Sequence, residues 1–244
     1  MKTTLLNRLL ATVVLAFGLT AVNAAPIPLE DVKVGSTVTS EGIGIGWGKY
    51  LPVPEGEWEV VVRDDMTYNS NKANENAPVY FIHLLNKNKK DVLQLVRITF
   101  ENPAGRITPE VNCSNNENTI SFNRMGTLEG QNFQLCKRII KPRTMSKSFD
   151  FRAKTNVLIS TQKTSQNYLL ERFGSNNPEI ITASIVSGKK GQNRLVYLFG
   201  FNLPNQNIND NPKVGNSIDE WLTSNINKIE SYYNGDKISF NGFK

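Results

Sequence analysis

The residues with the clearest chemical potential form a basic run between positions 137 and 154. In this run Asp150 is the only acidic side chain, and Phe149 and Phe151 are interleaved with the cations. Such a concentration of positive charge predicts a surface for an anionic ligand, and the planar fork of arginine suits phosphates and carboxylates. The seven candidate residues are Lys137, Arg138, Lys141, Arg143, Lys147, Arg152 and Lys154.

The same segment also has an ordinary interpretation as a solvated face. Side chains alternate between the two sides of a strand, so neighbours such as Lys137 and Arg138 would then point in opposite directions. The charges would in that case be spread over strand and loop without forming one surface. The sequence leaves both interpretations open.

Groups for catalysis are sparse. His83 is the only histidine and lies in the apolar segment 79–85, which favours a structural role. The G-x-S-x-G turn that presents a nucleophilic serine in many hydrolases does not occur. Glu55, Glu57 and Glu59 alternate along the chain, and although carboxylate pairs can hydrolyse glycosides, this pattern is also that of solvated strand residues.

The composition predicts no metal site and no cofactor. Zinc sites draw on clusters of cysteine and histidine, and this chain has two cysteines and one histidine. Segment 207–211 is rich in Asn and Asp but lacks the glycine and the distal glutamate of an EF-hand. Segment 42–48 lacks the spacing of a dinucleotide-binding loop, and its alternating glycines predict a strand with one bare face.

The first 24 residues have the features of a secretory signal peptide. Lys2 and Arg8 give a positive start, residues 9–22 are apolar, and residues 22–24 offer small side chains for cleavage. An apolar run of about 14 residues is shorter than the roughly 20 that a spanning helix needs. We therefore expect a mature chain that starts at Ala25, is exported to the periplasm or secreted, and has no integral membrane segment.

The charge of the mature chain limits its partners. Without Lys2 and Arg8 the formal net charge falls from +6 to about +4. That excess is well below the charge of a dedicated nucleic-acid-binding protein. The expected partners are an anionic glycan, a lipid head group or an acidic protein.

An exported chain with two cysteines predicts a disulfide between Cys113 and Cys136. The bridge would close a loop of about 24 residues and stabilise the fold by roughly 3 kcal/mol. The alternative is two buried free thiols.

Apolar segments predict strands along much of the mature chain, at 58–63, 79–85, 92–100, 156–161, 180–186 and 194–201. Short polar or glycine-rich connectors predict that segment 79–85 forms a hairpin with 92–100, and segment 180–186 with 194–201. The polar segment 64–77 predicts an exposed loop, and segment 165–173 fits either a helix or a strand. An apolar stripe at helical spacing, which runs from Ile218 to Tyr233, predicts an amphipathic helix with a capping box at Ser217 and Glu220 and a C-terminal cap at Gly235.

These elements predict an α+β fold over residues 25–244, in which a C-terminal amphipathic helix packs on a largely antiparallel sheet stapled by one disulfide. We expect a non-enzymatic envelope-accessory or binding protein that recognises an anionic ligand through segment 137–154. One alternative is a subunit of an envelope or secretion assembly that acts by strand-edge contacts. A second is a hydrolase that uses carboxylates or the single histidine.

Overall fold

Strands dominate the described part of the computed structural model, which covers residues 25–46, 48–70, 75–88, 94–101, 119–125, 133–144, 179–189, 192, 194–201 and 212–243. The strands are β1 (Ile27–Pro28), β2 (Thr37–Thr39), β3 (Ile43–Gly46), β4 (Lys49–Leu51), β5 (Glu57–Ser70), β6 (Glu75–Asn86), β7 (Gln94–Glu101), β8 (Thr119–Met125), β9 (Phe133–Thr144), β10 (Glu179–Lys189) and β11 (Arg194–Phe201). A short 3-10 helix spans Leu29–Asp31, and the α-helices are α1 (Pro212–Ile226) and α2 (Ile229–Asn234).

Eight of the strands form one antiparallel sheet in the order β2-β5-β6-β7-β11-β10-β9-β8. The predicted pairings of β6 with β7 and of β10 with β11 are both present, and β7 joins the two halves through β11. The α+β prediction with a mostly antiparallel sheet and a C-terminal helix is thus confirmed. The predicted elements at 156–161 and 165–173 lie outside the described residues, as does the leader.

The prediction of a loop over residues 64–77 is wrong. Strand β5 continues to Ser70 and pairs with β6 up to the Ser70–Glu75 register pair. Backbone hydrogen bonds across a hairpin do not require apolar side chains, so the polar composition of this segment did not prevent strand pairing.

A second, three-stranded sheet holds the glycine-alternating segment. Strand β3 pairs in parallel with β1 and antiparallel with β4. The predicted strand is present but ends at Gly46, where the chain turns with φ values of +85° at Gly46 and +72° at Gly48. Buried Ile43, Leu51 and Val53 join this sheet to the main core.

Gly42, just before β3, has a left-handed backbone conformation, and its substitution tests the close packing of this segment against β4. Its φ is +83°, and a Cβ atom there would overlap the carbonyl oxygen of Leu51. We expect Gly42→Ala to lower the free energy of unfolding by about 3 kcal/mol, because backbone strain and overlap add together. The control is Gly35→Ala, at φ +88° with no atom within 4 Å, which we expect to cost about 1 kcal/mol. Equal losses in denaturant titrations of the two variants would contradict the close approach of Gly42 to β4.

The predicted C-terminal helix is split in two. Its apolar stripe is buried as expected, but residues 227 and 228 form a turn between α1 and α2. The helix begins at Pro212, a residue whose fixed φ suits a first helical turn, so the predicted capping box is wrong and the Ser217 hydroxyl donates to the Lys213 carbonyl inside the helix. Gly235 does cap α2, with φ +96° and its N–H donating to the Tyr232 carbonyl.

The main core lies between the helices and one face of the sheet. Helix α1 packs against β9 and β10, and the Trp221 ring meets Phe199 at 4.8 Å, Phe201 at 5.6 Å and Phe243 at 5.8 Å between centroids. The Trp221 Nε1–H donates to the Asn241 carbonyl at 2.9 Å. One side chain therefore ties the helix, the sheet and the C-terminal segment together.

Buried tyrosines next to this core predict a loss of stability in alkali. Burial, with smaller effects of Tyr232 and Asp236, raises the pKa of Tyr50 from 10.0 to about 12, and burial also raises the pKa values of Tyr197 and Tyr233. The unfolded chain releases these protons from about pH 10, whereas folded Tyr50 holds its proton up to about pH 12. We expect the free energy of unfolding to be constant below pH 10 with respect to Tyr50 and to fall as the pH rises towards 12.

The measurement is denaturant unfolding across this pH range, with tyrosinate absorbance followed in parallel. In Tyr50→Phe the free energy of unfolding should fall less steeply with pH. This variant lacks the Tyr50 hydroxyl proton, which in the wild type only the unfolded chain releases between these pH values. Identical slopes for both proteins would contradict the role of Tyr50.

Candidate functional site

Strand β9 carries the first part of the basic run and divides it between the two faces of the sheet. Lys137 shares a face with Leu135 and Ile139, which belong to the core beneath α1. Arg138 points to the opposite face, as does Cys136. Strand alternation therefore places the positive charges of Lys137 and Arg138 on opposite faces of the sheet.

The Lys137 ammonium group makes its hydrogen bonds and its ion pair within the protein. Only 6 % of the residue is exposed, and its Nζ donates to Asp219 Oδ2 at 2.8 Å and to Thr223 Oγ1 at 2.6 Å. Asp219 and Thr223 stand one turn apart on α1, so this lysine fastens the helix to β9. It is therefore left out of the candidate anion-binding surface.

A β-bulge returns a second arginine to the face of Arg138. The register passes from the Ile140–Thr182 pair to the Arg143–Ile180 pair, so two residues of β9, at 141 and 142, lie opposite one residue of β10, at 181. The extra residue reverses the alternation beyond Ile140, which places Arg143 on the same face as Arg138. We call Arg138 and Arg143 on this face the arginine pair.

The bulge lies near the C-terminal end of β9. Within the described residues, the pairing of β8 with β9 ends at the Thr119–Ile140 register pair. Pro142, which has no N–H to donate, lies beyond that point in the bulge, where proline is tolerated. Lys141 is exposed in the bulge and Arg143 is half-buried. The arginine pair is thus reachable from solvent at this end of β9.

The arginine pair is partly removed from water and self-repelling. Burial, and to a lesser degree the charge of Arg143, lowers the pKa of Arg138 below its ordinary value. The ion pairs of the described residues do not include either arginine. Two half-buried cations that act on each other electrostatically are the arrangement that an anion would stabilise.

Two buried hydroxyl residues share this face and were not predicted. Ser184 is directly opposite Arg138, and Thr182 is opposite Ile140; they are 3 % and 2 % exposed. The sequence contains a pattern that indicates a separate polar face, because Thr182 and Ser184 alternate with Ile181, Ala183 and Ile185. The partners of Lys137 on α1 had no such signal, because they are more than eighty residues away in the chain.

The remaining predicted site residues are not brought together with the arginine pair. Lys147, Arg152, Lys154 and Cys113 lie outside the described residues, and Cys136 is buried. His83 is 3 % exposed and lies within the main sheet between β5 and β7. Glu55 and Glu57 are exposed and Glu59 is half-buried, and the Glu55 carboxylate accepts the Gly242 N–H at 3.3 Å.

Within the described ranges, no cluster of three or more His, Cys, Asp or Glu side chains could hold a metal ion. The helices found there are too short or too polar to cross a bilayer. Comparison with protein-family models, curated proteins and solved structures finds no match for this chain. The arginine pair is therefore the feature on which a functional proposal can rest.

Proposed function

We propose that the protein is an exported, non-enzymatic binding or envelope-accessory protein that recognises an anionic ligand through the arginine pair. The observation that carries this proposal is the β9 bulge, which places Arg138 and Arg143 on one half-buried face. A bound anion would offset both their mutual repulsion and the water lost from Arg138.

The proposal narrows the predicted surface. Of the seven candidate cations, Lys137 is bound to Asp219 and Thr223, and Lys141 projects from the bulge as an exposed peripheral charge. Lys147, Arg152 and Lys154 remain candidate contributors from the residues that follow. Selectivity for anions would then come from two arginines in fixed register, with the lysines adding long-range attraction.

Export and a disulfide belong to the same proposal. The leader at residues 1–24 supports secretion or a periplasmic location, and the mature domain would span residues 25–244. Cys136 is 3 % exposed and the described residues include no free thiol, which supports a bridge to Cys113. That bridge would anchor β9 two residues before Arg138, so we expect reduction of the protein to weaken ligand binding as well as stability.

A non-enzymatic role is favoured over hydrolysis by the surroundings of the possible catalytic groups. His83 is buried within the sheet, and the Glu55 carboxylate is engaged by a backbone N–H. A buried histidine and a carboxylate that already accepts a backbone N–H are poorly placed to act as a general base on a substrate.

Assembly by strand-edge contacts is less well supported at the β5 side of the sheet. Strand β2 covers only Glu57–Glu59 of β5, and beyond it Arg63, Asp64 and Asp65 follow one another. The Asp64 carboxylate accepts the Asp65 N–H at 2.9 Å. Charged residues on an edge are the usual means by which proteins prevent such pairing.

The test is a thermal-shift panel on oxidised protein from residue 25 to 244. The probes are heparin, polyglutamate, vesicles that contain anionic lipid, and inorganic phosphate, with neutral dextran as the uncharged control. A probe at a hundred times its dissociation constant should add about 2.7 kcal/mol to the free energy of unfolding. We expect a shift with at least one anion that weakens from low to moderate salt, because exposed charges are screened.

The matched variants are Arg138→Glu/Arg143→Glu and Lys33→Glu/Lys49→Glu. Both reverse two charges, but Lys33 and Lys49 are exposed residues of the N-terminal region. We expect the arginine variant to bind the anion about tenfold or more weakly and so to lose most of the thermal shift. The lysine variant should keep most of its thermal shift. Equal losses, or no shift with any anion, would contradict the proposal.

A further inference from the structure

We infer that the arginine pair binds one compact, doubly charged oxyanion group of the phosphate type, held between the two guanidinium groups. This inference rests on the proposed function and goes beyond it, because that function would also be satisfied by an extended polyanion lying along a broad basic surface. The distinction follows from how β9 arranges its charges.

The charges that converge are few. Lys137 points to the other face and donates to Asp219 and Thr223, so it cannot join a surface centred on Arg138. Strand β9 therefore contributes two arginines on one face in place of a continuous row of cations. Two positive charges on one face match a single dianion, whereas a polyanion is bound best by many cations spread along its length.

The position of the two arginines also favours a small group. Both side chains are half-buried, which limits the area that a long, hydrated chain could reach. A compact oxyanion presents several acceptor oxygens within a few ångströms and can take paired hydrogen bonds from each guanidinium. Burial is the main effect that lowers the pKa of Arg138, and a shared dianion would cancel the smaller contribution from the charge of Arg143.

The facing strand adds short donors on the same face. Ser184 is the register partner of Arg138, and directly opposed residues of antiparallel strands have Cβ atoms about 5 Å apart. Ser184 and Thr182 are almost fully buried, and so is Ile180, the register partner of Arg143, so this face combines hydroxyl groups with an apolar side chain. Each hydroxyl group carries one O–H donor that a phosphate oxygen could accept.

The experiment measures calorimetric dissociation constants for inorganic phosphate, pyrophosphate, acetate, heparin and vesicles that contain phosphatidic acid. The proteins are wild type, Arg138→Gln, Arg143→Gln, the double variant and the control Lys33→Gln/Lys49→Gln. Far-ultraviolet circular dichroism and Tm of each variant establish that it is folded. Phosphate is also titrated below and above its second ionisation, because only the dianion matches both arginines.

We expect phosphate or pyrophosphate to bind, acetate to bind at least tenfold more weakly, and binding to improve as the dianion forms. Each single variant should lose nearly as much affinity as the double variant, because a bridged group needs both arginines. The lysine control should be unchanged. Binding of phosphatidic acid vesicles in addition would identify a lipid head group as a source of the same phosphate chemistry.

Two results would overturn this inference and leave the proposed function intact. One is binding of heparin without phosphate, with losses in the single variants that add up to the loss in the double variant. The other is binding of vesicles without free phosphate, which would point to an extended membrane surface. Absence of binding by every probe would overturn both the inference and the proposed function.

Discussion

Trp221→Ala is expected to lower the free energy of unfolding by about 3–5 kcal/mol, the range for aromatic residues removed from a packed core. The indole meets Phe199 from β11, with ring centroids at 4.8 Å, and Phe243 from the C-terminal segment at 5.8 Å. Truncation would leave a cavity between three elements that have few other means of repacking. For a chain of this size the loss corresponds to roughly 6–20 °C in Tm.

The matched control is Trp221→Phe. It keeps an aromatic ring against Phe199 but removes the hydrogen bond from Nε1 to the Asn241 carbonyl. We expect it to cost about 1–2 kcal/mol, the worth of one hydrogen bond and a smaller ring. Denaturant unfolding measures both variants, and a Trp221→Ala protein as stable as Trp221→Phe would show that this ring does not hold α1 to the sheet.

Asp219→Ala is expected to lower the free energy of unfolding by about 2 kcal/mol, because it leaves the buried Lys137 charge without its carboxylate. Removing one partner of a fully buried pair costs more, but the Asp219 side chain is 36 % exposed, so water offsets part of the loss. Thr223 still accepts from Lys137 at 2.6 Å and limits the effect further.

The informative comparison is with Lys137→Met, which removes the charge and keeps the hydrophobic stem. We expect this variant to lose no more than about 1 kcal/mol, and Lys137→Met/Asp219→Ala to be more stable than Asp219→Ala alone. If adding Lys137→Met gives the Asp219→Ala protein no stability, Lys137 is not a buried cation that needs this partner. Neither substitution touches Arg138, so anion binding should persist in the folded variants.

The periodicity of the sequence was sufficient to predict the class of fold. Two apolar runs joined by a glycine-rich connector predicted the pairing of β10 with β11, and the stripe from Ile218 to Tyr233 predicted the helical region that packs on the sheet. Both signals are local, and burial of a patterned face is the strongest determinant of such elements. The extension of β5 through a polar segment to Ser70 was missed because backbone pairing with β6 supplies its stability.

The candidate site was harder to predict because charge counts carry no direction. The sequence showed seven cations between 137 and 154, but a single bulge decides which of them share a face. Without that bulge, strand alternation would place Arg143 on the side of Lys137. A bulge depends on register with β10, and the partner of Lys137 depends on how α1 docks, so both are properties of the tertiary structure.

The most direct test of the central claim is the dissociation constant of the anion that gives the largest thermal shift, measured for three proteins at low salt. These are wild type, Arg138→Gln/Arg143→Gln and Lys33→Gln/Lys49→Gln, and the two variants have the same formal charge. We expect a loss of affinity of about tenfold or more for the arginine variant and little change for the lysine variant. The same loss in both variants would show that binding follows net charge, and that β9 holds no anion site.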